Sequence, residues 1–389
     1  MNDELLAAYS IVDRLKTELR VLQLASGDLW AGAEVQLYYL ACYLHRQEGV
    51  DLLVVLLNPG ELQQRLIAAG VAVEVLDESH AGFVRLLIRL CRICGGFKPD
   101  VIHTHRQKEN LLGVLAAAMN PGTRSMRTVH GGNEHLPRFL QVGKRLRVWV
   151  DHWLGQHLQK PVVCVSDDLK SVLSAHYAVD RLLVIENGVD TEKVRDLARA
   201  GDIELMPDRF LVAFVGRMVP IKRIDLFVEI ARLAERDFPE KFYFYAIGDG
   251  SELKGAQDQV SEHGLSNISF TGFRADAQCW LARMNALCIT SDHEGLPMGA
   301  LEAMALRIPV VARGVGGITA VLDRGHAGTL IKSAEPHLFV EALNQLRVDS
   351  EYSQNVVEAA WERVNGRYSV TAMADQYQRV YGRFHTTKS

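Results

Sequence analysis

Apolar residues along this chain gather into short runs, each closed by a turn residue and followed by a longer stretch with helical spacing. The first runs are 21-VLQLA-25, 52-LLVVLL-57, 71-VAVEVL-76, 101-VIHTH-105, 126-MRTVH-130 and 162-VVCVS-166. Four to six apolar residues bounded by turn signals read as buried strands, and their alternation with helices predicts a doubly wound parallel sheet. A second series starts at 182-LLVIENG-188 and continues through 210-FLVAFVG-216, 242-FYFYAIG-248, 268-ISFTG-272, 287-LCITS-291 and 308-IPVVA-312. The pattern thus occurs twice, and predicts an α/β chain of two Rossmann-like domains. The Asn-Gly turn of 187-NGVD-190 marks the join. The resulting division is a helical extension over 1–20, a first domain over 21–188, a second over 189–365, and helices over 366–389 that break near Asn365-Gly366.

Composition supports this division. A chain of 389 residues exceeds the size at which one core stops growing. With 48% hydrophobic and 23% charged residues it is composed like a globular protein. A formal charge of −4 argues against a nucleic-acid partner. The six cysteines sit mostly in apolar runs, which suits a reducing compartment, and 91-CRIC-94 has no second CxxC or spaced histidines to make a metal site. No apolar run is long enough to span a bilayer, and the N-terminus lacks the apolar core of a signal peptide. A cytoplasmic protein is expected.

The strongest chemical signal is 290-TSDHEGLPMGALEAMALRIPVVARGVGG-317. A strand ends, a Glu-Gly turn follows, and Pro297 is placed where the first turn of a helix tolerates proline. The main-chain N–H groups of Gly295, Leu296, Met298 and Gly299 are then available to phosphate oxygens, with the helix dipole adding attraction. Glu294 lies before the helix and Glu302 about two turns along it. Side chains lean toward a helix N-terminus, so Glu302 can accept hydrogen bonds from a vicinal diol such as a ribose, and Glu294 faces the sugar side.

A second signal is 210-FLVAFVGRMVPIKRID-225, where a buried strand ends at Gly216 and is followed by Arg217 and Lys222. Two cations after a strand are ordinarily solvated, but beside an anion-binding helix start they suit a departing diphosphate. Fixed positive charge stabilises the transition state of that departure more than the ground state. Arg217 offers a two-pronged grip and Lys222 a point charge.

Together these segments resemble the C-terminal lobe of the retaining GT-B glycosyltransferases of family GT4, with Glu294 and Glu302 forming the Glu-x7-Glu pattern. Further matches are 187-NGVD-190, 247-IGDG-250, 271-TGF-273 and 316-GG-317; in the N-lobe, 26-SGDLWAGAE-34 resembles the glycine-rich turn after the first strand. The resemblance implies two Rossmann-like domains facing a cleft, with C-terminal helices crossing back to the N-lobe. It implies transfer, with retention, of a hexose-type sugar from a nucleotide diphosphate sugar to a hydroxyl acceptor, in surface glycan or glycolipid assembly. His130, in 128-TVHGG-132, is assigned to the donor sugar near the reacting carbon. The catalytic candidates are therefore His130, Arg217, Lys222 and Glu294. The substrate-binding candidates are Gly32, Gly216, Gly272, Phe273, Gly295, Leu296, Met298, Gly299 and Glu302. No metal ligand and no cofactor is expected, and family frequency points first to UDP-sugars.

The chain departs from the family pattern at Arg307, Ala320 and Ala31, which stand where glycine, glutamate and glycine are common. A dehydrogenase reading of 243-YFYAIGDGSEL-253 fails because Leu253 replaces the third glycine. A non-catalytic nucleotide-sugar binder and a same-fold epimerase are the alternatives. Two basic, apolar stretches remain: 83-FVRLLIRLCRICGGFK-98, with Arg85, Arg89 and Arg92, and 138-RFLQVGKRLRVWVDHW-153, with Lys144, Arg145, Arg147, Trp149 and Trp153. Such stretches suit an anionic membrane surface, so peripheral docking on the cytoplasmic face and a glycan or lipid-linked acceptor are expected.

Overall fold

The computed structural model describes residues 18–28, 30, 32–131, 142–199, 203 and 208–385, with backbone alone for 142–148 and 385. The helix expected over 1–20 lies almost wholly outside them. Two parallel sheets organise the described residues. The first has seven strands in the order β3-β2-β1-β4-β5-β6-β7: β1 Leu19–Ala25, β2 Val50–Leu56, β3 Ala72–Val75, β4 Val101–Thr104, β5 Arg124–Val129, β6 Gln159–Cys164 and β7 Leu182–Val184. The second has six in the order β10-β9-β8-β11-β12-β13: β8 Phe210–Val215, β9 Phe242–Ile247, β10 Ile268–Gly272, β11 Ala286–Ile289, β12 Val310–Arg313 and β13 Thr329–Ile331.

The run at 182, counted with the second series although it lies within the first domain's bounds of 21–188, is placed by its pairing. It pairs in parallel with β6, Val162 opposite Leu182, and so closes the first sheet rather than opening the second. The second sheet instead ends on β13, a three-residue strand too short to stand out as an apolar run.

The chain divides into two compact units: Met1–Cys164 with Lys170–Ile185 and Ala374–Ser389, and Val165–Leu169 with Glu186–Met373. The final helices are Ser350–Gly366 and Val370–His385, and the second of them contributes residues to both units. In the first unit the side chains of Tyr377 and Tyr381 are fully buried. Tyr381 Oη lies 2.7 Å from His103 Nδ1, and Tyr377 Oη lies 2.8 Å from Thr128 Oγ1.

Helices cover both faces of parallel sheets, which explains why central strands such as β9 are buried at every position. In the second unit Phe227 of the helix Ile224–Asp237 packs onto Phe214 of β8 and Phe244 of β9, edge-on to Phe244 at 5.4 Å. Burial of each such ring stabilises by about 1.5–3 kcal/mol. In the first unit Leu22, Leu24, Val55 and Ile102 receive the helix Phe83–Phe97 through Leu86, Leu90 and Cys94. These three are spaced by four and make one narrow stripe, so the opposite side of that helix faces solvent.

Both sheets have the same doubly wound order. The chain runs outward from a central strand, then returns to the other side of it, leaving a switch point between β1 and β4 and another between β8 and β11. Ligands of such sheets bind beyond the carboxyl ends of the strands at these points.

Candidate active site

At the second unit's switch point β8 ends at Val215. Gly216 follows at φ +147° and donates its N–H to Ile247 O at 3.0 Å. A Cβ on Gly248, itself at φ +144°, would lie 1.9 Å from Gly216 O, so only glycine lets the ends of β8 and β9 meet this closely. Arg217 comes next, exposed and with no side-chain partner among the described residues. Met218 beside it is fully buried and anchors the turn through its N–H to Asp249 O at 2.8 Å.

The turn Pro220–Lys222 then crosses to the end of β11. Asp292 N–H donates to Ile221 O at 2.8 Å, and Thr290 Oγ1 donates to Lys222 O at 2.9 Å. These bonds bring Lys222 Nζ to 2.6 Å from Glu294 Oε1. Ser291 Oγ donates to the same oxygen at 2.6 Å. Glu294 Oε2 has no side-chain partner among the described residues. The pair is partly open to solvent, the lysine side chain 27% and the glutamate 8% exposed.

The loop that follows is held by close backbone approach. Gly317 N–H donates to Glu294 O at 2.9 Å, and a Cβ on Gly317 would stand 1.8 Å from Gly295 O. Gly316 at φ +56° makes the same approach to Glu294 O. The helix runs Met298–Ala305 with Pro297 as its N-cap, one position earlier than the sequence reading placed it. Pro297 O accepts from Ala300 N–H at 3.2 Å, so Met298 and Gly299 carry the first-turn N–H groups without intrahelical acceptors. Gly295 and Leu296 precede the helix, and Leu296 O accepts from Asn187 Nδ2 at 3.4 Å.

Glu302 is the fifth residue of that helix, little more than one turn in, and is buried. Its Oε1 accepts from Gln278 Nε2 at 3.1 Å. Gly272 ends β10 at φ +68°, and Phe273 after it is 56% exposed.

The first unit presents different chemistry at its switch point. Gly27, after β1, adopts φ +84°, and a Cβ there would sit 2.7 Å from Asn58 O. Gly32 opens the helix Gly32–His45, whose buried Glu34 pairs with Arg106 just beyond β4. Arg106 also lies 3.6 Å from Asp28. His130 follows β5 directly, with its Nε2 3.2 Å from His105 Nδ1 and the rings stacked at 5.4 Å. Burial, followed by the charges of Arg106 and Arg127, holds the His130 imidazole down at about 3. His103 is lowered to about 3 by burial and by His130. All three histidines are therefore neutral near pH 7.

The structure thus joins Lys222, Glu294 and the loop 295–299 into one cluster, with Arg217 on the same strand-end platform. It holds Glu302 on the flank of the helix against Gln278, and places His130 and Gly32 in the first unit. Ser291, Gln278, His105 and Arg106 escaped the sequence reading. Gln278, His105 and Arg106 act through contacts between segments 24 or more residues apart, which no local spacing signals, whereas Ser291 acts on Glu294 three residues on. The 660 Å³ groove beside β2 and β3, lined by Asp51, Glu74, Arg92 and Phe97, contains none of these residues. All six cysteines are free, and burial raises the Cys94 thiol to about 12, which suits its place in the core.

Comparison with known proteins agrees with this geometry. The family described as Glycosyltransferase Family 4 matches residues 30–193, and that described as Glycosyl transferases group 1 matches residues 209–349. An Escherichia coli UDP-Gal:alpha-D-GlcNAc-diphosphoundecaprenol alpha-1,3-galactosyltransferase is 25% identical over 284 residues, covering 70% of this chain and 72% of its own. A Komagataeibacter xylinus GDP-mannose:cellobiosyl-diphosphopolyprenol alpha-mannosyltransferase is 25% identical over 318 residues, covering 77% and 76%. The crystal structure of Anabaena HepE in complex with UDP and glucose superposes with a TM-score of 0.80 at 21% identity, over 94% of this chain and 100% of that one. The two family matches fall in turn on the two Rossmann-like sheets, and this chain belongs to the family-4 glycosyltransferases of GT-B fold.

Proposed function

We propose that the enzyme transfers a hexose-type sugar, with retention, from a nucleotide diphosphate sugar to a hydroxyl of a glycan or lipid-linked acceptor in surface-glycan assembly. The observation that carries this reading is the cluster at the β8/β11 switch point: unpaired Arg217, the Lys222–Glu294 pair at 2.6 Å, and the free first-turn N–H groups of Met298 and Gly299. A diphosphate seated there would meet two cations and a helix start, and its growing charge on bond cleavage would be met without reorganisation. Lys222 is held by Glu294 rather than left to roam, so its charge is preorganised. Glu294 keeps Oε2 for a sugar hydroxyl. Glu302 would take the ribose only by sharing its carboxylate with Gln278. His130 would contact the sugar, and the turn containing Gly32 would line the acceptor side.

These cations make a divalent metal dispensable in this reading, so turnover should survive EDTA. UDP-sugars are the first donors to test, a choice that suits the UDP-linked relatives and structures. The two relatives named above carry polyprenol-linked acceptors in their names, which supports a lipid-linked acceptor. No helix among the described residues is long and apolar enough to cross a membrane, so docking would be peripheral.

The deciding experiment is a screen of UDP-, GDP- and ADP-sugars for nucleotide diphosphate release, with NMR of the first-formed anomer. Release with the anomeric configuration kept is expected. Binding of the donors without release would instead favour a non-catalytic binder, interconversion of the donor sugar an epimerase, and an inverted anomer would overturn retention.

A further inference from the structure

Two histidines of β4 and its end sit two residues apart and are satisfied differently. His103 is fully buried with both ring nitrogens engaged, Nδ1 with Tyr381 Oη at 2.7 Å and Nε2 with Thr128 Oγ1 at 2.8 Å. It has nothing left for a ligand and serves to fix the C-terminal helix against β4 and β5. His105 is only 3% exposed, lies tilted against His103 with ring centroids 4.3 Å apart, and uses Nδ1 to meet His130 Nε2 at 3.2 Å. Its own Nε2 is buried and has no partner among the described residues, and His130 Nδ1 is in the same condition. A buried polar nitrogen without a partner costs about 1–3 kcal/mol. Two such nitrogens at the outer ends of one hydrogen-bonded pair, at the carboxyl edge of a doubly wound sheet, mark a place where a ligand supplies what the protein omits.

We propose that His105 is a positioning residue for His130, and that the pair recognises sugar hydroxyls as a single unit. The argument is proton counting. Both rings are neutral, because burial and the nearby Arg106 disfavour the imidazolium of each. Each neutral ring carries one N–H, and the shared hydrogen bond uses one of the two. If His105 Nδ1–H donates, His130 Nδ1 must carry the remaining proton and His105 Nε2 is bare. If His130 Nε2–H donates, the assignment reverses. Either way the outward nitrogens are one donor and one acceptor, never two donors or two acceptors. A hydroxyl both donates and accepts, so hydroxyl-bearing ligands satisfy either form; a carboxylate or an ammonium satisfies one nitrogen only. This rests on the reading of His130 as a sugar contact, and extends it by naming the residue that sets its tautomer.

Three substitutions separate positioning from direct contact. The amide nitrogen of asparagine stands two bonds from Cβ, as Nδ1 does, whereas that of glutamine stands three bonds away, as Nε2 does. His105→Phe keeps the stack and loses both nitrogens. The expected order of kcat/KM for sugar transfer is wild type, then His105→Asn, which keeps the bond to His130 but gives up the outward Nε2, lower by about threefold, with His105→Gln and His105→Phe lower by about tenfold. Recovery by Gln and not Asn, or no loss in any of the three, overturns the proposal. Nitrogen-15 NMR of histidine-labelled protein without ligand gives a readout independent of turnover. It should show His130 neutral and predominantly one tautomer in the wild type and in His105→Asn, and tautomerically mixed in His105→Phe. An imidazolium at His130 near pH 7, or a tautomer unchanged by His105→Phe, overturns it even if transfer is observed. A protein without transferase activity that keeps the NMR pattern would refute the function and leave the pair standing.

Discussion

The two units share one strand order yet prepare their switch points in opposite ways. The second gathers charge that remains partly in water: Arg217 is exposed, and Lys222 and Glu294 pair at a half-open surface. The first gathers neutral rings, His103, His105 and His130, held neutral by burial. Its charged pair, Arg127 with Asp151, is sealed in the interior at 0% and 3% exposure. The lesson is that a doubly wound sheet fixes where a site can be, and the polarity of the strand ends decides what it can hold. Charge left accessible suits a charged ligand, and neutral donors and acceptors suit hydroxyls.

The sharpest way to break this contrast is to remove one member of each ion pair. Asp151→Ala takes the counter-charge from buried Arg127 and also removes the acceptor of Asn110 Nδ2 at 2.7 Å. A loss of about 3–5 kcal/mol is expected. Glu294→Ala leaves Lys222 able to reach water, and should cost roughly 1 kcal/mol of stability. Urea unfolding followed by circular dichroism measures both. Equal losses would mean that the Lys222–Glu294 pair is as structural as the buried one.

How much of this was legible beforehand follows from where each signal resides. Strand runs and the turns after them are local, so eleven of the thirteen strands and the cluster around Arg217, Lys222 and Glu294 could be placed from the chain alone. The strand at 182 was recognised but counted with the second series, because a parallel strand's partner is set by its crossover and not by its own residues. Glu302 read as an open ligand because spacing gives helix phase, whereas the neighbour occupying its carboxylate, Gln278, comes from another helix. The His105–His130 contact joins two strand ends 25 residues apart and has no signature in either segment.

Next in size is the expected effect on turnover of the second unit's cations. Arg217→Ala and Lys222→Ala should each lower kcat by about 10²-fold, the scale of losing one preorganised stabiliser of developing charge. The Arg217 side chain is exposed and makes no hydrogen bond or ion pair among the described residues, so its replacement should leave the unfolding midpoint nearly unchanged. Rapid-quench or steady-state nucleotide release measures the first quantity. Near-normal turnover in both variants would remove the diphosphate from the charged switch point, and with it the functional half of the contrast.

The neutral histidines make an acid-side prediction for the first unit. His103 and His130 titrate at about 3 in the folded protein against 6.5 ordinarily, and His105 is likewise well below its ordinary value, in each case chiefly by burial. Between these values the unfolded chain binds more protons than the folded one. Their contribution is thus complete above about pH 6.5 and is lost as the pH falls toward 3. Each histidine adds up to about 1.4 kcal/mol per pH unit to that slope. Urea midpoints at pH 7 and pH 5 should converge in His130→Asn relative to the wild type. An unchanged slope would show that His130 is not held neutral.

The smallest effect concerns charge that the first unit keeps outside its site. On the helix Phe83–Phe97, opposite the buried Leu86, Leu90 and Cys94, stand exposed Val84 and Ile88 beside exposed Arg85 and Arg92. Arg89 is different, because its Nη1 donates to Leu76 O at 2.8 Å. On the helix Val142–Leu158, Trp149 and Trp153 are 63% and 47% exposed one turn apart, and His157 packs on Trp153 at 4.9 Å. The side chains of Lys144, Arg145 and Arg147 lie outside the described residues. If this unit docks on an anionic bilayer, each free arginine contributes about 1 kcal/mol near the surface. Arg85→Ala and Arg92→Ala should therefore each weaken co-sedimentation with anionic vesicles about fivefold, while Arg89→Ala, whose charge is already engaged, should weaken it less. All three should leave the urea midpoint nearly unchanged, since surface substitutions of this kind stay within about 0.5 kcal/mol. Binding that resists salt, or that is equal for neutral and anionic vesicles, would assign the exposed arginines to solvation alone, because attraction to an anionic surface is screened within a Debye length.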